Sequence, residues 1–227
     1  MASGQSIAAA TSGGIDWASP VLAEPPSMKR ATYEDVLNAP ENKVAEILDG
    51  ELVLSPRPAP RHAVASSRLG RILGPFDDDP GGPGGWWILD EPELHFGEQV
   101  LVPDLASWRR DRMPVIADEA RFTLAPDWVC EVLSPSTQKH DRSRKLRIYA
   151  EAGVAHAWLV DPVERTLEVL RLKDGAWTIV GVCVDADVVR IHPFEAIQIE
   201  LARLWPDAPV PPAPAPTDAP PTATEAG

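Results

Sequence analysis

Residues 128–133 read Trp-Val-Cys-Glu-Val-Leu, an apolar run broken by a single acid. A strand without polar alternation is one buried on both faces, so this chain must cover a sheet from two sides. Two amphipathic stretches can supply such cover. Over 61–76, Ala65, Leu69, Ile72, Leu73 and Phe76 recur at helical spacing, with Arg61, Arg68 and Arg71 on the polar side. The stretch 138–152 fits a second helix, preceded by Ser134-Pro135-Ser136-Thr137 and ended by Gly153. Shorter strands are expected at 86–89, 93–96, 105–108, 157–160, 166–172 and 177–182, with turns at Asp161-Pro162 and Asp174-Gly175. Thr32 and Asp35 form a capping-box variant opening a short helix through Ala39, and Asp49-Gly50 inside 44–54 supplies the positive φ angles of a tight hairpin. The expected class is α/β, with strands dominating.

One compact domain is expected over 28–205. Residues 1–27 lack apolar periodicity and read as a disordered arm; 206–227 reads as a disordered Pro/Ala-rich tail, holding eight of the 25 prolines. The formal charge is 21 − 34 = −13, which repels polyanions at long range, so any contact with nucleic acid must be local. Cys130 and Cys183 lie in apolar stretches and read as buried thiols of a reducing compartment. No apolar run approaches the ~18 residues of a membrane span and no leader is evident at the amino end. A cytoplasmic protein with no membrane partner is the expectation.

Three carboxylates carry the chemical signal: Glu46 in the first hairpin strand, Asp104 at a strand entrance, and Glu131 inside the most apolar strand. Taken singly, Glu46 reads as an exposed hairpin residue and Asp104 as a turn residue after proline. Glu131 resists that account, because a buried carboxylate survives only with a cation or a hydrogen-bond network to compensate it. Lys139, Arg142, Arg144, Lys145 and Arg147 form a basic cluster on the following helix, either a solvated ion-paired face or a local patch for nucleic acid. Asp141, Lys145 and Tyr149 share one helical face, and that helix can fold back over the end of the Glu131 strand. Two carboxylates and a lysine then make a site for phosphodiester hydrolysis, the acids holding Mg²⁺ or Mn²⁺ and the ammonium countering charge on phosphorus oxygens. The five histidines show no metal-ligand spacing, and neither a phosphate loop nor a Gly-x-Ser-x-Gly elbow is present.

Taken together, Val102-Pro103-Asp104, Glu131-Val132-Leu133-Ser134-Pro135-Ser136-Thr137, Asp141, Lys145, Tyr149, Gly153-Val154 and Trp158-Leu159-Val160-Asp161-Pro162 resemble the Uma-two family. That family belongs to the restriction-endonuclease-like PD-(D/E)XK superfamily. The hairpin from Glu46 to Leu52 and His62 fit the same pattern, and the resemblance spans 32–204. It implies a mixed β-sheet flanked by helices, with additional antiparallel hairpins, a Mg²⁺-dependent nuclease site and a homodimer. One departure stands out: superfamily enzymes commonly carry lysine two residues after the second acid, where this chain has Leu133. Either Lys145 has taken over from the following helix, or the site is a remnant.

Two functions are compatible with these residues. In the first, the protein is a Mg²⁺-dependent endonuclease acting on DNA, with Asp104 and Glu131 as metal ligands, Lys145 as electrostatic catalyst and Glu46 as accessory acid. In the second, it is a catalytically silent dimeric binding or assembly module that keeps the nuclease fold.

Overall fold

The structure is a computed structural model that describes residues 30–78 and 81–207. The chain divides into two units, Met1–Arg30 and Ala31–Gly227, and every helix and strand among the described residues belongs to the second. The arm expected over 1–27, and the tail beyond 207, lie outside the described residues.

A short helix, α1 (Tyr33–Leu37), opens on the expected capping box, with the Thr32 amide and hydroxyl both donating to Asp35 Oδ2 at 2.8 Å. The hairpin of β1 (Lys43–Leu48) and β2 (Glu51–Pro56) turns through Asp49 at φ 58° and Gly50 at φ 81°, the left-handed pair that such a turn requires. Helix α2 (Pro60–Leu73) starts with proline at its first position, where no hydrogen bond is lost, and buries His62, Ala65, Leu69 and Leu73 as a stripe. Strands β3 (Trp86–Asp90), β4 (Leu94–Phe96), β5 (Gln99–Leu101), β6 (Leu105–Arg109) and β7 (Trp128–Val132) come next. Of these only β5 is not expected from the sequence.

The second long helix runs from 138 to 151 as expected, but in three pieces: α3 (Gln138–His140), a π-helical turn (Asp141–Lys145) and α4 (Leu146–Glu151). Gly153 ends it at φ 81°. Strands β8 (His156–Asp161), β9 (Thr166–Lys173) and β10 (Ala176–Val184) complete the large sheet, and the two-residue strands β11 (Val188–Val189) and β12 (Ile199–Glu200) pair with each other.

The large sheet has the order β10-β9-β8-β7-β6-β3 and a smaller antiparallel one the order β2-β1-β5-β4. Only β7 and β8 pair in parallel in the large sheet, which is why a helical crossover must separate them. Every residue of β7 is buried. Its Trp128, Cys130 and Val132 pack with α2 and with Phe194, Leu204 and Trp205 of the carboxyl-terminal segment; Val129 and Leu133 pack on the other face with α4 and the small sheet. The double burial read from 128–133 is thereby met, and the mixed α/β class with antiparallel hairpins holds. Asp207, two residues past the expected domain end, is held by Arg61 at 3.2 Å and Arg165 at 3.0 Å. Among the described residues no helix is long and apolar enough to cross a membrane.

Candidate active site

Glu131 belongs to the face of β7 that looks toward the helix and the small sheet, since residues two apart on a strand share a side with Val129 and Leu133. Its carboxylate is almost fully buried and compensated from the helix. Lys145 Nζ lies 2.9 Å from both of its oxygens, and the Tyr149 hydroxyl donates to Oε1 at 2.6 Å. The same ammonium reaches Glu46 Oε1 at 3.1 Å and Asp141 Oδ1 at 3.6 Å, and donates to the Val102 carbonyl at 3.3 Å. In an ideal α-helix, side chains four apart are rotated by about 40°. The π turn over 141–145 widens the helix where Asp141 and Lys145 must both point inward, and each is only 3% exposed.

Asp104 stands beside this cluster at the entrance to β6. Its Oδ2 accepts the Val132 amide at 2.6 Å, which ties it to the strand carrying Glu131, and its Oδ1 lies 3.2 Å from His62 Nε2. Glu46 accepts the Val102 amide at 2.9 Å and so is anchored two residues before Asp104. All four candidates, Glu46, Asp104, Glu131 and Lys145, line one cleft of about 240 Å³, bounded by residues 55–59, where β2 ends and the chain leads into α2, and by Ser134–Thr137. His62 and Asp141 line it too. His62, by its match to the family pattern and its place near the start of the first long helix, and Asp141, by that pattern and its helical face, had signals in the sequence but were not among the candidates.

Burial sets the electrostatics. Desolvation pushes the Glu131 carboxyl well above the ordinary value; Lys145 opposes this, while Asp141, Asp104 and Glu46 add to it. Burial acts against the Lys145 charge, yet Glu131 and Glu46 more than offset it and hold the ammonium well above the usual lysine range. Tyr149 is raised by burial and by Glu131, so its hydroxyl stays a donor at neutral pH. His62 is raised as well: desolvation lowers it, but the bond to Asp104 and that residue's charge prevail.

The basic cluster expected on the helix does not form an open patch. Arg142 pairs with Glu168 at 2.6 Å, Arg144 with Glu51 at 2.9 Å and with the Leu48 carbonyl, and Arg147 with Asp49 at 2.6 Å. Lys145 is buried. Arg144 and Arg147 are neutralised because the helix packs against the acidic hairpin turn of β1 and β2, and Arg142 is neutralised by Glu168 of β9, while Lys139 is exposed. Trp86 packs edge-on against Phe194, while Trp87 is capped by the Arg110 guanidinium, 3.4 Å from its ring centroid.

Among the described residues no three His, Cys, Asp or Glu side chains converge closely enough to cage a metal ion. Mg²⁺ seldom needs such a cage; it takes one or two carboxylates and completes its shell with water and substrate phosphate. Five acids, Glu46, Glu91, Asp104, Glu131 and Asp141, line the cleft against three bases, Arg57, His62 and Lys145.

Residues 30–203 match the model of the Uma2 family, described as "Putative restriction endonuclease". The fold is similar to the crystal structure of "a putative nuclease belonging to DUF820" from Anabaena variabilis, with TM-score 0.60 and 23% identity over 77% of this chain and 97% of that one. No curated protein matches the chain.

Proposed function

Since the chain belongs to the Uma2 family, we propose that it is a metal-dependent nuclease that hydrolyses phosphodiester bonds in DNA with Mg²⁺ or Mn²⁺. The observation that carries this reading is the buried Lys145 ammonium, 2.9 Å from Glu131 and 3.1 Å from Glu46, on a cleft that Asp104 shares. A lysine placed against the strand acid from the following helix answers the absence of lysine at Leu133.

Asp104 and Glu131 are the residues that would hold the cation, which when bound supplies an activated water and Lewis acidity toward phosphate. The remaining work falls to the chain itself. Lys145, kept charged by the acids around it, counters negative charge that grows on the phosphorus oxygens in the transition state. Glu46 is the accessory acid; it reaches the lysine from the small sheet and limits its freedom. Tyr149 fixes the orientation of the Glu131 carboxylate by its 2.6 Å hydrogen bond. His62 holds Asp104 from α2.

The test is incubation of the protein with single- and double-stranded DNA and RNA in Mg²⁺ or Mn²⁺. Cleavage of DNA is expected, and Glu131→Gln should slow it by ~10²-fold or more, the scale of one electrostatic group. If the wild type cleaves nothing with either ion, the fold serves a silent binding or assembly role instead.

A further inference from the structure

The cluster at Lys145 explains charge inside the cleft but leaves open what receives a polyanion at its mouth, since Arg142, Arg144 and Arg147 are paired within the fold. Only three basic residues line the cleft among the described residues: Lys145, His62 and Arg57. The first two have side chains 4% and 10% exposed, whereas that of Arg57 is 56% exposed. We infer that Arg57 is the substrate-binding residue of this cleft, taking a backbone phosphate next to the scissile one, and that Glu91 holds its place until substrate arrives. This rests on the nuclease reading above and adds to it the residue that seats the polyanion.

The geometry supports the exchange. Arg57 leaves β2 between Pro56 and Pro58, and a residue flanked by prolines is confined to extended backbone, so the guanidinium is presented from a stiff stem. Its Nη2 donates to the Glu41 carbonyl at 3.1 Å, and Nη1 lies 3.8 Å from Glu91 Oε2. That contact is long and exposed, the kind of ion pair that contributes little and is readily replaced. A phosphate offers two oxygens to the planar fork and a stronger charge-assisted bond. Glu91 is no incidental neighbour. It sits in the left-handed region at φ 45°, its amide donates to the Asp104 carbonyl at 3.1 Å, and it lines the cleft. The turn that aims Glu91 at Arg57 is therefore tied to the strand entrance that carries Asp104, and a substrate that displaces Glu91 is placed beside that acid.

The experiment measures binding of fluorescein-labelled single- and double-stranded DNA by anisotropy in Ca²⁺ over a range of salt, and KM and kcat in Mg²⁺. Arg57→Ala should weaken binding and raise KM about 10-fold, keep kcat within a few-fold, and reduce the magnitude of the salt slope by about one unit, as for one lost phosphate contact. Arg57→Lys should keep the salt slope and lose part of the affinity. Glu91→Gln should tighten binding by freeing the guanidinium. Wild type that cleaves DNA while Arg57→Ala matches it in KM and salt slope overturns the inference and leaves the nuclease reading intact; wild type that binds without cleaving overturns the nuclease reading, and the inference with it if Arg57→Ala binds equally well. Wild type that neither binds nor cleaves overturns both. Melting curves establish that each variant is folded, which the exposure of both side chains favours.

Discussion

At the scale of single residues, Lys145 does two jobs that one substitution separates only in part. It counters three buried or nearly buried carboxylates, Glu131, Glu46 and Asp141, so Lys145→Ala strands uncompensated charge. A loss of about 3–5 kcal/mol in urea unfolding is expected, the range for breaking a buried pair by removing one partner. On the cleavage assay turnover should fall by ~10²-fold or more. The sharper comparison is Leu133→Lys with Lys145→Ala. Leu133 lies two residues along from Glu131 on the same face and is 2% exposed, so a lysine there addresses the same acid at the expense of packing with Leu146 and Tyr149. Partial recovery of turnover in the double variant is the expected result; none at all, in a folded protein, argues that the two positions do not serve the same phosphate.

At the scale of elements, the hairpin turn and the helix are clamped together by charge. Arg147 bonds Asp49 Oδ1 at 2.6 Å and Arg144 reaches Glu51 at 2.9 Å, from positions more than ninety residues away. The hydrogen bond from Arg147 is the main reason that Asp49 titrates below the ordinary carboxylate value. A carboxyl whose folded pKa is depressed contributes stability that is complete above its unfolded value, near 3.9, and is lost as pH falls through the folded value. The pair is partly exposed, so Arg147→Ala should cost no more than about 1 kcal/mol at neutral pH. Urea unfolding of the two proteins should converge once Asp49 is protonated; a gap that persists in acid shows that Arg147 acts by packing. The π turn over 141–145 belongs to this scale as well. Periodicity at 138–152 indicates a helix but does not show that one turn is wide, because the widening answers to what Asp141 and Lys145 must face.

At the scale of the whole molecule, the cleft joins two sheets: Glu46 comes from the small one, Glu131 from the large one, with Asp104 at the entrance to β6. A cation held by Asp104 and Glu131 binds only the folded chain, so the melting temperature should rise with Mg²⁺ or Mn²⁺ concentration by mass action. Asp104→Asn should abolish the rise. Equal shifts in wild type and variant would remove these acids from the metal site.

The amino-acid sequence by itself determined most of the elements and the family. A hairpin turn needs two residues with positive φ, a buried strand needs a short apolar run, and a helix shows its stripe within four turns; each is a local demand, met by neighbours along the chain. Glu131 was legible for the same reason, since an acid among Val129, Cys130, Val132 and Leu133 has no wet face to turn to. Asp104, Lys145 and Glu46 followed from strand entry, helix spacing and the motif pattern, and the fold brings all four to one cleft. Only the tertiary structure decided which charges are free. Arg144 and Arg147 find acids more than ninety residues distant, and Arg142 one at a separation of 26, so the arginines of a run that reads as a basic patch are neutralised once packed. Arg57 shows the converse. It stands alone between prolines with no pattern to mark it, and becomes the exposed cation of the cleft because residues 55–59, from the end of β2 onward, form one wall. Charge pairing is a property of distance in space, on which sequence spacing is silent beyond a helical turn or two.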